Sequence, residues 1–274
     1  VRYKANNTDN LNLASSWSVA IPTAGTVAGW NNTVTGANSV NLGADLSWLG
    51  IRILDPGGAV TIGGANTLST DAFGVDMNAA TVDLTLNNAS LTLKDYASTF
   101  WNVASGRTLT VSPGVFTRGD RSALRLPGAG TVASAIIAND ATGIVGPWAT
   151  IGTTTAMRYV TVSGGTLAGY AGTPAATAAQ VTDTTGTVNY DVAAGGTIPA
   201  GAAFNTLRYT GASGANIVGA FTANGILNAG AGSLVFNSGS PANVITIGPT
   251  RELVLATPDS GRIYAFYGPI ADHA

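Results

Sequence analysis

Apolar residues alternate with polar ones in very short bursts along most of this chain. In the first part the pairs are Val40/Leu42, Ile51/Ile53, Val60/Ile62, Val75/Met77, Leu84/Leu86, Leu91/Leu93, Trp101/Val103 and Leu109/Val111. Each pair reads as a three-residue strand, because side chains along a strand point alternately to opposite faces. Asn, Ser, Ala or Gly follows most of these bursts. A strand this short is not stable alone, so it must be stacked on others. Taken three at a time, the bursts return after one coil, 24 residues from Val60 to Leu84 and 25 from Leu84 to Leu109. Leu84/Leu86 and Leu109/Val111 are therefore expected on one face, one above the other. Leu91/Leu93 and Trp101/Val103 are expected on the other two.

The last third behaves similarly. Bursts begin near Leu207, Ile217, Ile226, Leu234, Val244, Leu253 and Ile263, and every third one lies 27 residues on. Repeats of about 20–50 residues mark solenoids and propellers. A sandwich or barrel uses longer strands joined by hairpins, whereas these bursts are often separated by Gly-containing corners without the Asn-Gly or Asp-Gly pairs of two-residue hairpins. Propeller blades need four longer strands and recurrent aromatic signatures. The expected fold is all-β, a parallel, right-handed β-helix (β-solenoid) with three short strands per coil of about 24–28 residues.

The middle, roughly 113–200, is less regular and reads as loops or short extra strands, with periodicity resuming by Val188. A short helix over ASAIIAND (133–140) is the alternative there. No charge run or Pro-rich linker marks a boundary, so residues 1–274 are expected to form one continuous solenoid.

Composition agrees with this pattern. Charged residues are only 9% and Gly supplies 36 of 274 positions, while 45% hydrophobic residues leave ample material for a core. The formal net charge is −2, without a basic stripe, which argues against a nucleic-acid partner. No apolar run reaches the length of about 18 residues that a membrane helix needs, so no membrane span is expected in this chain. Cysteine is absent, which excludes disulfides and thiolate metal sites. The start, VRYKANNTDN, has neither an initiating Met nor a signal peptide, so a segment of a longer product is expected.

The stretch GVDMNAATVDLTLNNASLTL (74–93), followed by WNVASGRTLTV (101–111), resembles autotransporter-associated β-strand repeat proteins. AGWNNTV (28–34), LSWLGIRI (46–53), IVGPWATIGT (144–153) and RELVLATPDSG (251–261) followed by GPIAD are similar to the same family. These are long bacterial surface or secreted proteins, common in the Verrucomicrobia and Planctomycetes group. The resemblance implies export, a β-helical passenger and a place at the cell surface. Family members often carry further repeats, and some end in an outer-membrane barrel.

The same fold also carries polysaccharide lyases and hydrolases, so the residues must be searched for chemistry. Glycoside hydrolysis needs two carboxylates at a controlled separation. Thirteen Asp and one Glu are present, and Asp45, Asp55, Asp71, Asp95 and Asp259 stand alone in turn-like contexts, where Asp caps backbone N–H groups. Asp76 and Asp83 flank inward apolar positions and point outward. The enzyme alternative requires Asp76, Asp83 or Asp140 to converge near Arg107 or Arg158. The calcium-binding nonapeptide is absent. His273 is the only histidine and lies next to the terminal residue, which excludes a His-dependent triad. Arg118-Gly119-Asp120 spells an integrin-binding tripeptide, best read as a solvated loop or subunit contact beside Arg121 and Arg125. Trp17, Trp30, Trp48, Trp101 and Trp148 are expected in the core, against the alternative of a sugar-stacking surface. Tyr264, Phe266 and Tyr267 are expected to cover the end of the solenoid or to contact a neighbouring module.

No catalytic, cofactor-binding or metal-binding residue is assigned. The expected function is that of an extracellular structural or adhesive module, secreted or at the bacterial cell surface, and not an enzyme. Expected partners are copies of itself, end to end or lateral in a filament or surface layer, and surface glycans. The alternatives are a β-helical carbohydrate-active enzyme and a passive glycan-binding module.

Overall fold

Leu109 and Val111 lie in register on Leu84 and Leu86 as parallel neighbours. This stacking recurs throughout a computed structural model that describes residues 1–273. The chain is 44% strand and 3% helical, and forms a parallel β-solenoid of about 12 turns. It forms two compact units, Val1–Ala138 with Val162–Ala168, and Asn139–Thr161 with Gly169–Ala274.

The first unit has three faces. One stacks Asn38–Asn41, Val60–Gly63, Leu84–Leu86, Thr108–Val111 and Thr131–Ser134. Its inward column Val60, Leu84, Leu109 and Val132 is at most 3% exposed. Leu46, Leu68, Leu91 and Phe116 run up the second face. The third stacks Ala28, Ile51, Val75 and Trp101, so Trp101/Val103 and Leu91/Leu93 occupy separate faces as the spacing predicts. The strands Leu46–Ile53 and Thr67–Met77 each serve two faces, with a register shift between Trp48 and Gly50 at the bend. There the coils approach closely: a Cβ on Gly74, whose φ is +63, would lie 2.1 Å from the Phe100 carbonyl oxygen.

Residues 1–20 close the N-terminal side of this unit. The Trp17 ring stands edge-on to Trp30 and Trp48 at 5.7 and 5.9 Å. Lys4 is fully buried, and its Nζ donates to the carbonyls of Ala5 and Asn7 and to Asn7 Oδ1. Burial holds the Lys4 pKa below its ordinary value, and Asp9 opposes this.

The irregular middle begins later than the sequence suggests. Val115–Arg118, Ala123–Leu126 and Thr131–Ser134 keep the coil register. No helix forms over residues 133–140. Instead the Ser134 hydroxyl oxygen accepts from the backbone N–H groups of Ile136 and Ile137, which ends the strand in a bend. Antiparallel pairs follow, Ala133 with Thr166 in the first unit and Thr150 with Tyr159 in the second. Parallel pairing resumes at Thr173–Ala175, ahead of Val188.

The second unit is also three-faced, but its first coils are shorter than the expected 27 residues. Leu207 pairs with Ile226 rather than Leu234, and Ile217 with Phe236 rather than Val244. Later coils lengthen, with Ile226 on Leu255 and Leu234 on Tyr264. The short coils arise because Ala202–Tyr209 and Phe221–Asn228 each supply two faces without an intervening turn. Asn205 and Asn224 lie within these strands, are at most 4% exposed, and are hydrogen-bonded to each other. Inside, Phe204, Phe221, Phe236 and Phe266 follow one another at 5.3, 6.0 and 5.1 Å between centroids.

Candidate functional site

The carboxylates singled out in the sequence mostly serve the scaffold. Asp45, Asp83 and Asp95 each accept a backbone N–H from the next coil, from Thr67, Thr108 and Asp120 at 2.8, 2.9 and 2.9 Å. Asp55 accepts from Asn32 N–H of the preceding coil at 3.1 Å. These aspartates therefore cap corners one coil away rather than their own turns. Asp71 caps Ala72 locally and pairs with Lys94 at 2.8 Å, and that bond holds its carboxyl below the ordinary range. Asp259 caps Gly261.

The convergence required by an enzyme is met only in fragments. Asp83 and Arg107 approach to 3.9 Å on an exposed corner. Asp76 pairs with Arg52, not Arg107, and Asp140 turns back on Thr142. Arg158 meets Asp191 at 3.5 Å. Among the described residues no group of three or more His, Asp or Glu side chains gathers that could hold a metal ion.

Arg118-Gly119-Asp120 is built into a coil corner. Gly119 is buried, Arg118 Nε donates to the Ser122 carbonyl, and Tyr96 N–H donates to the Asp120 carbonyl. Trp17, Trp30, Trp48 and Trp101 are at most 5% exposed, so these indoles are core, and Trp148 is half-buried. His273 is exposed. Tyr264 and Phe266 stack on each other above Phe236, whereas Tyr267 is exposed.

Each unit has a cleft in which polar groups gather. In the second unit a cleft of about 480 Å³ is lined by Arg158, Asp191, Arg208, Pro174 and Thr210 among others. The Arg208 side chain is only 6% exposed. Its Nε, Nη2 and Nη1 donate to the Met157 carbonyl, the Thr155 carbonyl and Asp191 at 2.7, 3.1 and 3.0 Å. Burial lowers the guanidinium pKa, and Asp191 counters this. Three of five N–H groups are thus taken by the chain itself. Arg208 clamps the segment around residues 155–157 to the coil, and the cleft is a structural joint.

The other cleft lies on the first unit. A cleft of about 400 Å³ is lined by Ala72, Phe73, Asp76, Asn78, Phe100 and Asn102. Asp76 and Asn102 project outward because Val75, Met77, Trp101 and Val103 alternate inward between them. Arg52 lies in register with Asp76, and its Nε donates to Asp76 Oδ2 at 2.9 Å. The Arg52 guanidinium lies 4.9 Å from the Phe73 ring centroid, and Arg125 lies 5.4 Å from that of Phe100. Cation–π contact of this kind fixes the rings in place.

None of Arg52, Phe73, Phe100 or Asn102 stands out in the sequence. The usable signal was the coil length: Asp76 and Asn102 are one coil apart on an outward column, and Phe100 stands one coil above Gly74. Comparison with protein-family models, with curated proteins and with solved structures finds no match for this chain.

Proposed function

We propose that the chain is a structural and adhesive β-solenoid module of a secreted or surface-exposed bacterial protein, of the autotransporter-associated β-strand repeat kind, without catalytic activity. The observation that supports this reading best is the use of its carboxylates. Asp45, Asp55, Asp83 and Asp95 hold neighbouring coils together at their corners. Side chains so engaged favour a durable scaffold over a reaction centre, since an acid–base pair needs carboxylates free to reach substrate.

Self-association is the second part of the proposal. Leu255 and Ile270, on the strands Val254–Ala256 and Ile270–Ala271, and Ile263 and Tyr267, which flank the strand Tyr264–Phe266, are between 41% and 60% exposed. Uncovered apolar side chains beside open strand edges attract another strand. On the N-terminal side Trp17 and Leu11 are buried, while Val1, Leu13 and Val19 are between 46% and 74% exposed. Association of copies, end to end or lateral, is proposed to use these exposed apolar side chains.

Protease shaving of intact source cells tests location. The protein should vanish from shaved cells while cytosolic markers persist; protection of the protein would overturn the surface reading. Mass measurement of the purified chain tests association. A species heavier than the monomer that dissociates on Ile263→Asp or Tyr267→Asp is expected, and a monomer at all concentrations would remove self-association. Release of shorter products from a polysaccharide panel would overturn the non-catalytic reading.

A further inference from the structure

The cleft between Phe73 and Phe100 has a chemistry its scaffold role does not use. The carboxylate of Asp76 accepts from Arg52 Nε and from the Asn78 backbone N–H, which leaves about two of its four acceptor positions open. The side-chain amides of Asn78 and Asn102 line the cleft and make no hydrogen bond among the described residues. Phe73 is half-buried and Phe100 is 37% exposed, each backed by a guanidinium. The Arg52–Asp76 pair cancels its own charge.

We infer that this cleft binds a neutral saccharide, resting on the adhesive reading given above. The fit is chemical. A pyranose of the β-gluco or β-xylo series presents axial C–H bonds above and below the ring and hydroxyls around its edge. Phe73 and Phe100 supply apolar surfaces for the C–H faces. The open Asp76 lone pairs accept from sugar hydroxyls, while the Asn78 and Asn102 amides both donate and accept. Asp76 is the charged side chain of the lining, which gives no preference for an anionic ligand. A volume of about 400 Å³ lies in the range of small-molecule sites. The carboxylate is held between Arg52 and the Asn78 N–H, so it orients a ligand without reorganising.

The test uses the intact chain with cellotetraose and xylotetraose as probes, followed by isothermal titration and ligand-observed NMR. The wild type should bind at least one of them. Phe100→Ala and Phe73→Ala should each weaken binding by about tenfold or more. Asn102→Ala removes an amide with no partner among the described residues, and should weaken binding several-fold with an unchanged melting temperature. Absence of wild-type binding to both probes at millimolar concentration overturns the inference, as does binding that all three variants retain in full. Positive surface shaving without sugar binding sinks this inference alone. Sugar binding by a protein that shaving does not reach sinks the surface reading alone.

Discussion

Asn205 Nδ2 donates a 2.8 Å hydrogen bond to Asn189 Oδ1, 16 residues earlier and one coil below. Asn224 Nδ2 repeats this on Asn205 Oδ1 at 2.9 Å, and the Thr250 hydroxyl donates to Asn224 Oδ1 at 2.8 Å. All three amides are at most 4% exposed. A primary amide is both donor and acceptor, so each rung satisfies the next. Asn205→Ala breaks the column in the middle and leaves the Asn224 donor buried without its partner. Leaving a buried polar group unpaired costs about 1–3 kcal/mol. Urea melts should show a loss of that size; a change below about 0.5 kcal/mol, the scale of ordinary surface substitutions, would show that the ladder carries little of the stability.

Two tyrosines, Tyr159 buried and Tyr264 partly buried, should respond oppositely to loss of the hydroxyl. Tyr159 Oη is buried with no hydrogen-bond partner, and burial pushes its pKa well up. Tyr264 Oη accepts from Asn228 N–H at 2.7 Å, and its single O–H is shared between the backbone carbonyls of Ala256 and Ile226. Tyr159→Phe removes an unmet polar group and should leave the melting temperature equal or higher. Tyr264→Phe should lower stability by about 1–2 kcal/mol, through the Asn228 N–H left behind. Equal losses in the two variants would contradict this difference.

Gly74 and Gly106 separate backbone strain from collision. Both have positive φ, +63 and +73, but a Cβ on Gly106 meets nothing within 4 Å, whereas one on Gly74 runs into the Phe100 backbone. Gly106→Ala should cost about 1–2 kcal/mol, the penalty of a left-handed conformation. Gly74→Ala should cost clearly more, because the coils must part. Chemical denaturation of the two variants side by side gives the comparison, and similar losses would mean that the corner relaxes freely.

Acid should weaken the second unit through Asp183. Burial tends to raise this carboxyl, but bonds from the Thr185 hydroxyl and from the N–H groups of Thr185, Val188 and Thr187 outweigh it and leave the pKa below its ordinary 3.8. A depressed carboxyl contributes stability above its unfolded value, which is lost as pH falls through the folded one. The denaturation midpoint should drop between about pH 5 and pH 2. Asp183→Asn should be weaker at neutral pH and show a smaller drop; an identical acid profile would exclude Asp183 as a contributor.

The register of the first unit was legible because period-two apolar pairs recur at nearly constant spacing, as with Leu84 beneath Leu109. The side at residues 67–70 was hidden, since Leu68 alternates with Thr70 rather than a second apolar residue and the strand runs on without a turn to Val75. In the second unit, strands bending at Asn205 and Asn224 look like uniform runs, so the coil length was overestimated. The burial of Trp48 and Trp101 followed from their alternation with apolar neighbours. The Phe73–Phe100 cleft was not legible, because its residues come from successive coils and meet only once the register is known.

The closure at Trp17 has a consequence for how the chain is made. Trp17, Trp30 and Trp48 all lie in the opening stretch, so this plug needs none of the later sequence. Beyond it, Val60 finds its partner on Asn38, Leu84 on Val60 and Leu109 on Leu84. Each new coil of the first unit therefore requires only the one already laid down, and contacts stay modest in sequence separation despite the all-β architecture. A chain emerging N-terminus first, from a ribosome or through a narrow export channel, can wind itself up in the order in which it appears.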